Sequence, residues 1–376
     1  MVNFTSSEVV INAKRLPRFL FLDGARGCLA LSVALCHIYG ALTGWAVHRA
    51  FKGGFLAVDC FFVMSGFVLS HTLICQRSSW RHYFYKRFAR LWPLHVASAL
   101  LVLAVLLNNA IHNQFVPAWW HRNFASILVS NALMLQNMDI MKGLANQTIN
   151  DPSWSISVEF WVSGVILYPL TKQKWYVSLV IAVVAYGSLS FHSTEPFQAV
   201  GGIGLRLSGG CFRGLGGIAL GHCVFKLVLY LQKRHVELTG HIISYGKYML
   251  LLPLACAIYT GDPRYSWGGF ILFVLFVFVA SLETKRDHIF ASRVFVWLGK
   301  VSFSLYLIHT VVILSIEPLS YARIWGDFWT AAYAMALCLV LSVLIHYAFE
   351  EPSRLYLYGF TSRVTKQRYS TVSMLG

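Results

Sequence analysis

Apolar residues run along the chain in blocks of about twenty, each block closed by a short polar or basic stretch. A helix rising ~1.5 Å per residue needs about twenty apolar residues to cross a ~30 Å hydrocarbon layer. The blocks therefore predict ten spans, at about 27–48, 55–75, 92–110, 154–170, 175–191, 211–231, 247–260, 267–282, 299–317 and 329–349. The apolar run 124–138 is too short to cross and is predicted as an interfacial or re-entrant segment. The fold class is all-α, a polytopic membrane protein with no appended soluble domain and no repeat of fixed period. Residues 1–26 form an N-terminal segment, 27–350 the membrane domain and 351–376 a basic tail.

Composition agrees: 57% of residues are hydrophobic and 12% charged, where a soluble domain has about 25% charged. Mean hydropathy is +0.60. The first apolar run is too long for a signal h-region and lacks a small-residue cleavage site, so it is expected to act as an uncleaved first span. The net charge of +16 would suggest nucleic acid if its placement were ignored. With both termini on the cytoplasmic side, 23 of the 31 lysines and arginines fall in cytoplasmic segments, which is the bias the positive-inside rule requires. The loop after the second span (Arg77, Arg81, His82, Lys86, Arg87, Arg90) and the loop with Lys285, Arg286 and Arg293 carry much of it. The eight cysteines are scattered with no C-x-x-C pair and read as small apolar residues, so no metal is expected.

Against this apolar background, ionisable residues at depth are functional candidates. Arg26 and His37 lie eleven residues apart, within about 20° of one helix face, with His37 roughly 16 Å deeper. Arg87 and Arg90, three apart before Trp92-Pro93, share a face if helical and suit phosphate, as ligand or as lipid headgroup. Asp59 and Ser65 lie in the second span. Asp59 could equally pair across helices. Glu159 falls about one and a half turns into the fourth span, a candidate acid or base or a helix-pairing group. Ser302, Tyr306 and His309 line one face of the ninth span, with His309 again near mid-membrane, so the two histidines could meet in one cavity. The run Gly201 to Gly210 lacks Gly-Lys-Ser/Thr and a preceding strand, so it is not a phosphate loop. It is expected to pack helices, with Arg206 and Arg213 as external polar contacts.

Five of these stretches together resemble the acyltransferase-3 family of membrane acyltransferases: Leu22-Asp23-Gly24-Ala25-Arg26-Gly27 with His37; Val58 to Phe67; Arg87, Arg90 and Pro93; Trp154 to Glu159; and Ser302 to His309. They run in family order over most of the chain. Ala25 replaces a residue that is often large in the family, and 180–300 matches poorly. The resemblance implies an enzyme of a bacterial-type inner membrane that moves an acyl group, usually acetyl, from cytosolic acyl-CoA to a hydroxyl of a carbohydrate or glycolipid, such as an exopolysaccharide, O-antigen or lipo-oligosaccharide. Membrane lipids and a second copy of the chain or an accessory transferase complete the expected partners. Arg26, Arg87 and Arg90 would hold the CoA phosphates. His37 would meet the thioester and act as general base or brief acyl carrier, oriented by Glu159 or Asp59. Ser65, Tyr306 and His309 would line the polar cavity. A transporter or flippase is the alternative, with the same groups along a permeation path.

Overall fold

The computed structural model describes residues 19–44, 50–76, 78–112, 123–138, 147–203, 207–234, 240–282, 289–320 and 326–359. The helices are α1 Leu20–Thr43, α2 Gly54–Gln76, α3 Trp80–Ile111, α4 Phe124–Ala132, α5 Ser153–Trp161, α6 Tyr168–Leu170, α7 Trp175–His192, α8 Gly209–Lys233, α9 Gly240–Thr260, α10 Pro263–Leu282, α11 Arg293–Ser320 and α12 Gly326–Ile345. Two π-helical stretches join them: π1 Val162–Leu167 links α5 to α6, and π2 His346–Glu350 extends α12. Among the described residues there is no β-sheet. Eight helices are long and apolar enough to cross a membrane. The other two expected spans correspond to 153–170, interrupted by π1, and to α9, whose apolar part is Tyr248–Thr260. The protein is a multi-pass membrane protein.

The helix starts depart most from the sequence expectation. α1 begins at Leu20, with Asp23 in its first turn, where a carboxylate suits the helix dipole. α3 begins at Trp80, so most of the expected basic loop is helical. Ser79 caps it by accepting from the His82 N–H, and Tyr83 and Arg87, one turn apart, are buried against the bundle. Pro93 lies inside α3 rather than at its start, which membrane helices tolerate when neighbours satisfy the freed backbone groups.

α1 and α11 run parallel and touch backbone to backbone. A Cβ on Gly27 would collide with the Leu298–Gly299 backbone and one on Gly299 with the Asp23 carbonyl, while one on Gly24 would collide with the Phe290 carbonyl just before α11. Gly66 and Gly221 play the same part between α2 and α8. α4 turns one face, Ile127, Ser130 and Asn131, into the protein, and the irregular segment after it buries Met134, Gln136 and Asn137. Irregular backbone at membrane depth must be satisfied within the protein, and buried amides do this. Asn131 donates to the Ile127 and Gln147 carbonyls and accepts from the Ile149 N–H. Gln136 donates to the Ser153 carbonyl. Asn150 donates to Ser98 Oγ and the Leu307 carbonyl. Residues 1–18, Arg77, Arg206, Lys285, Arg286 and the tail from 360 lie outside the described residues.

Candidate active site

A cavity of ≈ 550 Å³ opens among α1, α2, α3, α5, α11 and π2. It lies at the end of the bundle where the basic residues gather, and Arg26, Arg87, Arg90, Lys300 and Arg354 all line it. Three of these cations are already matched. Arg87 is buried and donates to Glu159 Oε1 at 2.7 Å and to Ser163 Oγ at 3.1 Å. Arg26 lies 3.6 Å from Asp23. Arg354 pairs with Glu351. Arg90 and Lys300 are exposed to the cavity and carry no ion pair among the described residues. Arg87, expected to face phosphate, is thus occupied as the holder of a carboxylate. Local spacing could show that Arg87 and Arg90 share a helix, but not that a glutamate 72 residues away would claim one of them.

Glu159 is fixed from two sides, since Ser65 Oγ also donates to its Oε1 at 2.8 Å. Its side chain is 17% exposed, and Oε2 has no hydrogen-bond partner among the described residues. π1 begins one turn further along. There the Ser163 and Gly164 carbonyls accept from the Tyr83 hydroxyl and the Trp80 indole, which locks α3 against α5 just beneath the Arg87–Glu159 pair. A second carboxylate, Glu350, lies across the cavity on π2. Its Oε2 accepts from Ser304 Oγ at 2.6 Å and His346 Nδ1 at 2.9 Å.

Tyr306 and Ser155 close the deep end of the cavity, their hydroxyls 2.8 Å apart. His309 lies one turn beyond Tyr306, and its ring is 5.0 Å from that of His37, centroid to centroid. The two mid-span histidines do meet, but behind the Tyr306–Ser155 partition and outside the cavity lining. Each donates from Nδ1 to the carbonyl one turn back, His37 to Val33 at 2.9 Å and His309 to Leu305 at 3.2 Å. His309 Nε2 is buried without a partner. The carboxylate beside His37 is Asp151, 3.8 Å from Nε2 and 68% exposed. Glu159 and Asp59, expected there from the sequence, are elsewhere.

Asp59 lies outside the cavity. It is fully buried and takes three hydrogen bonds from Arg213, the shortest 2.6 Å, and one from the Tyr186 hydroxyl at 3.3 Å. The Arg213 guanidinium also stacks over Trp154 and donates to the Phe55 carbonyl. Arg213, expected as an external contact, is therefore a buried tie between α2 and α8. Its α8 start is glycine-rich, which gives a long side chain room to turn inward. Sequence reasoning missed Lys300, His346, Glu350, Arg354 and Asp151. The available signal was charge at the ends of apolar runs, with His346 and Glu350 four apart at the close of the last one.

No solved structure matches this chain. It is 27% identical to the acyltransferase MdmB of Streptomyces mycarofaciens, over 90% of this chain and 92% of that one. It is 22% identical to the peptidoglycan O-acetyltransferase OatA of Listeria monocytogenes, over 89% of this chain and 55% of that protein. It is 24% identical to the O-acetyltransferase OatA of Staphylococcus aureus, over 80% and 52%. The chain thus spans about half the length of the two OatA proteins. The model of the acyltransferase-3 family, described as an acyltransferase domain, matches residues 19–347. A family match over most of the chain, on a bundle whose cavity gathers the same arginines and carboxylate that carry the family's motifs, makes this protein a membrane acyltransferase of the acyltransferase-3 family.

Proposed function

We propose that the protein transfers an acyl group, acetyl first among candidates, from cytosolic acyl-CoA to a hydroxyl of a carbohydrate or glycolipid. The observation that carries this reading is the pair of cations, Arg90 and Lys300, that line a cavity at the basic end of the bundle and form no ion pair among the described residues. By the positive-inside rule that end faces the cytoplasm of a bacterial-type inner membrane, where acyl-CoA is found. Charged hydrogen bonds to phosphate suit such groups. The narrow apolar depth of the cavity, between Phe61, Phe62 and Ile156, suits a pantetheine arm ending in a short acyl group. Glu159 Oε2, held in place by the bonds to Oε1, can accept from an amide N–H of that arm.

In this reading His37 is the general base on the acceptor hydroxyl. Its Nδ1–H is committed to Val33, so Nε2 carries the lone pair, with Asp151 placed to stabilise the imidazolium. The acceptor then approaches from the end opposite the CoA. The relatives named for peptidoglycan O-acetylation support a carbohydrate hydroxyl as the acceptor class.

The test uses the purified protein in nanodiscs and radiolabelled acetyl-CoA, with membranes expressing the protein supplying the acceptors. The expected result is saturable acetyl-CoA binding and alkali-labile label in a carbohydrate fraction. His37→Ala is expected to abolish the label and leave binding intact. Absence of acetyl-CoA binding by the intact protein would overturn the reading.

A further inference from the structure

We propose that His346, held by Glu350 and Ser304, is the general acid of the donor cavity and protonates the departing thiolate of the acyl donor. The inference rests on the acyl-CoA reading above.

The partition makes this group necessary. His37 and His309 lie beyond the Tyr306–Ser155 hydrogen bond and line no part of the cavity. A donor entering from the basic end puts its acyl carbon at the partition and its sulfur on the cavity side. There His346 is the one imidazole among the cavity-lining residues. Arg90 and Lys300 could hold a thiolate in this cavity only as an anion, and release as a thiol needs a proton donor beside the sulfur.

The geometry around His346 is that of an oriented acid. Glu350 Oε2 takes the Nδ1–H at 2.9 Å and is itself fixed by Ser304 at 2.6 Å. That arrangement orients the ring and leaves Nε2, without a hydrogen-bond partner among the described residues, as the nitrogen that can carry a proton to the cavity. The local backbone is a π-helical stretch, His346–Glu350. Such stretches are uncommon and recur at functional sites. Here the stretch puts two ionisable side chains of one helix against a third residue, Ser304 of α11. Nothing about membrane spanning requires this triad, and ionisable groups within spans are expensive without a use.

The step balances. The acceptor oxygen bonds to the carbonyl carbon as the Tyr306–Ser155 bond opens, and its proton passes to His37. The carbon–sulfur bond breaks with its electron pair on sulfur. The sulfur takes the proton from His346 Nε2 and leaves as a thiol. His346 recovers a proton from solvent at the basic end, and His37 releases one at the other end. The sum is an alcohol, a thioester and one proton from the basic end giving an ester, a thiol and one proton at the other end. In this scheme His346 is catalytic and Glu350 is a positioning residue.

The experiment measures single-turnover transfer and acetyl-CoA Kd side by side in nanodiscs. For His346→Ala, transfer is expected to fall at least about 100-fold, while Kd stays within about threefold of the intact protein. Free imidazole, which fits the space left by the ring, is expected to restore part of the rate. Packing loss alone would give no such rescue. His346→Gln serves as a second variant that fills the site, and it is expected to lose the rate without imidazole rescue. Glu350→Gln is expected to lose about tenfold. Transfer by a His346 variant within about threefold of the intact protein, or donor binding lost in step with transfer, would overturn the proposal. Failure of the underlying reading looks different, because the intact protein would then transfer nothing from acetyl-CoA, and the inference would fall with it.

Discussion

Two arginine–carboxylate pairs of nearly equal length hold the bundle, and they are not alike. Arg213–Asp59 closes at 2.6 Å with side-chain exposures of 1% and 0%, and the Tyr186 hydroxyl of α7 and the Phe55 carbonyl of α2 bond to it as well. Arg87–Glu159 closes at 2.7 Å, but Glu159 borders the cavity and keeps one oxygen without a hydrogen-bond partner among the described residues. The first pair is sealed and complete, so it can only hold structure. The second closes at nearly the same distance and has one side open to a ligand. Bond length therefore says nothing about which pair works on a substrate, while the completeness of the surrounding hydrogen bonds does.

The sharpest way to break this contrast is Asp59→Ala, which strands a buried guanidinium. The expected cost is about 3–5 kcal/mol, seen as loss of monodisperse protein and a lowered unfolding temperature. Arg213→Met in the same chain is expected to recover much of the loss, because both charges then go together. An Asp59→Ala protein as stable as the parent would erase the distinction. Next in size, Glu159→Gln is expected to leave the fold intact and lower kcat/KM for acetyl-CoA by about 10- to 100-fold, the value of a hydrogen bond to a charged group. Arg90→Ala and Lys300→Ala are each expected to raise the acetyl-CoA Kd about tenfold with little change in kcat, measured by equilibrium binding. Ser65→Ala is expected to cost least, about 1 kcal/mol or some fivefold in the same kcat/KM, because Arg87 still holds Glu159. An effect of Ser65→Ala larger than that of Glu159→Gln would mean that the serine itself meets the substrate.

The helical fold and the α1 face bearing Arg26 and His37 were legible in the sequence because both follow from local periodicity. The meeting of His37 with His309 was legible only as an option, since it depends on Gly27 and Gly299 letting α1 and α11 touch. Partners were not legible. Asp59 finds Arg213 across 154 residues, and Arg87 finds Glu159 across 72, and no spacing rule reaches that far. The start of α3 was misread because a cluster of basic residues resembles a loop. Only burial shows that Tyr83 and Arg87 face inward along a helix capped by Ser79. Asp151, just before α5, is the carboxylate that His37 meets, and no local spacing links it to a histidine 114 residues earlier.

The partition formed by Tyr306 and Ser155 also has an electrical meaning. A charged cavity lies on one side of it and the partly exposed His37–Asp151 pair on the other. If water fills the cavity, most of a transmembrane voltage drops across the few ångströms between them. An elementary charge carried over that distance would exchange about 2.3 kcal/mol with each 100 mV. A neutral acyl group would cross without feeling the field, whereas a proton or a free phosphate would not. The thin hydroxyl pair would thus act as an insulator to free ions, while the proton taken up at one end and the proton released at the other would make each turnover sensitive to the voltage.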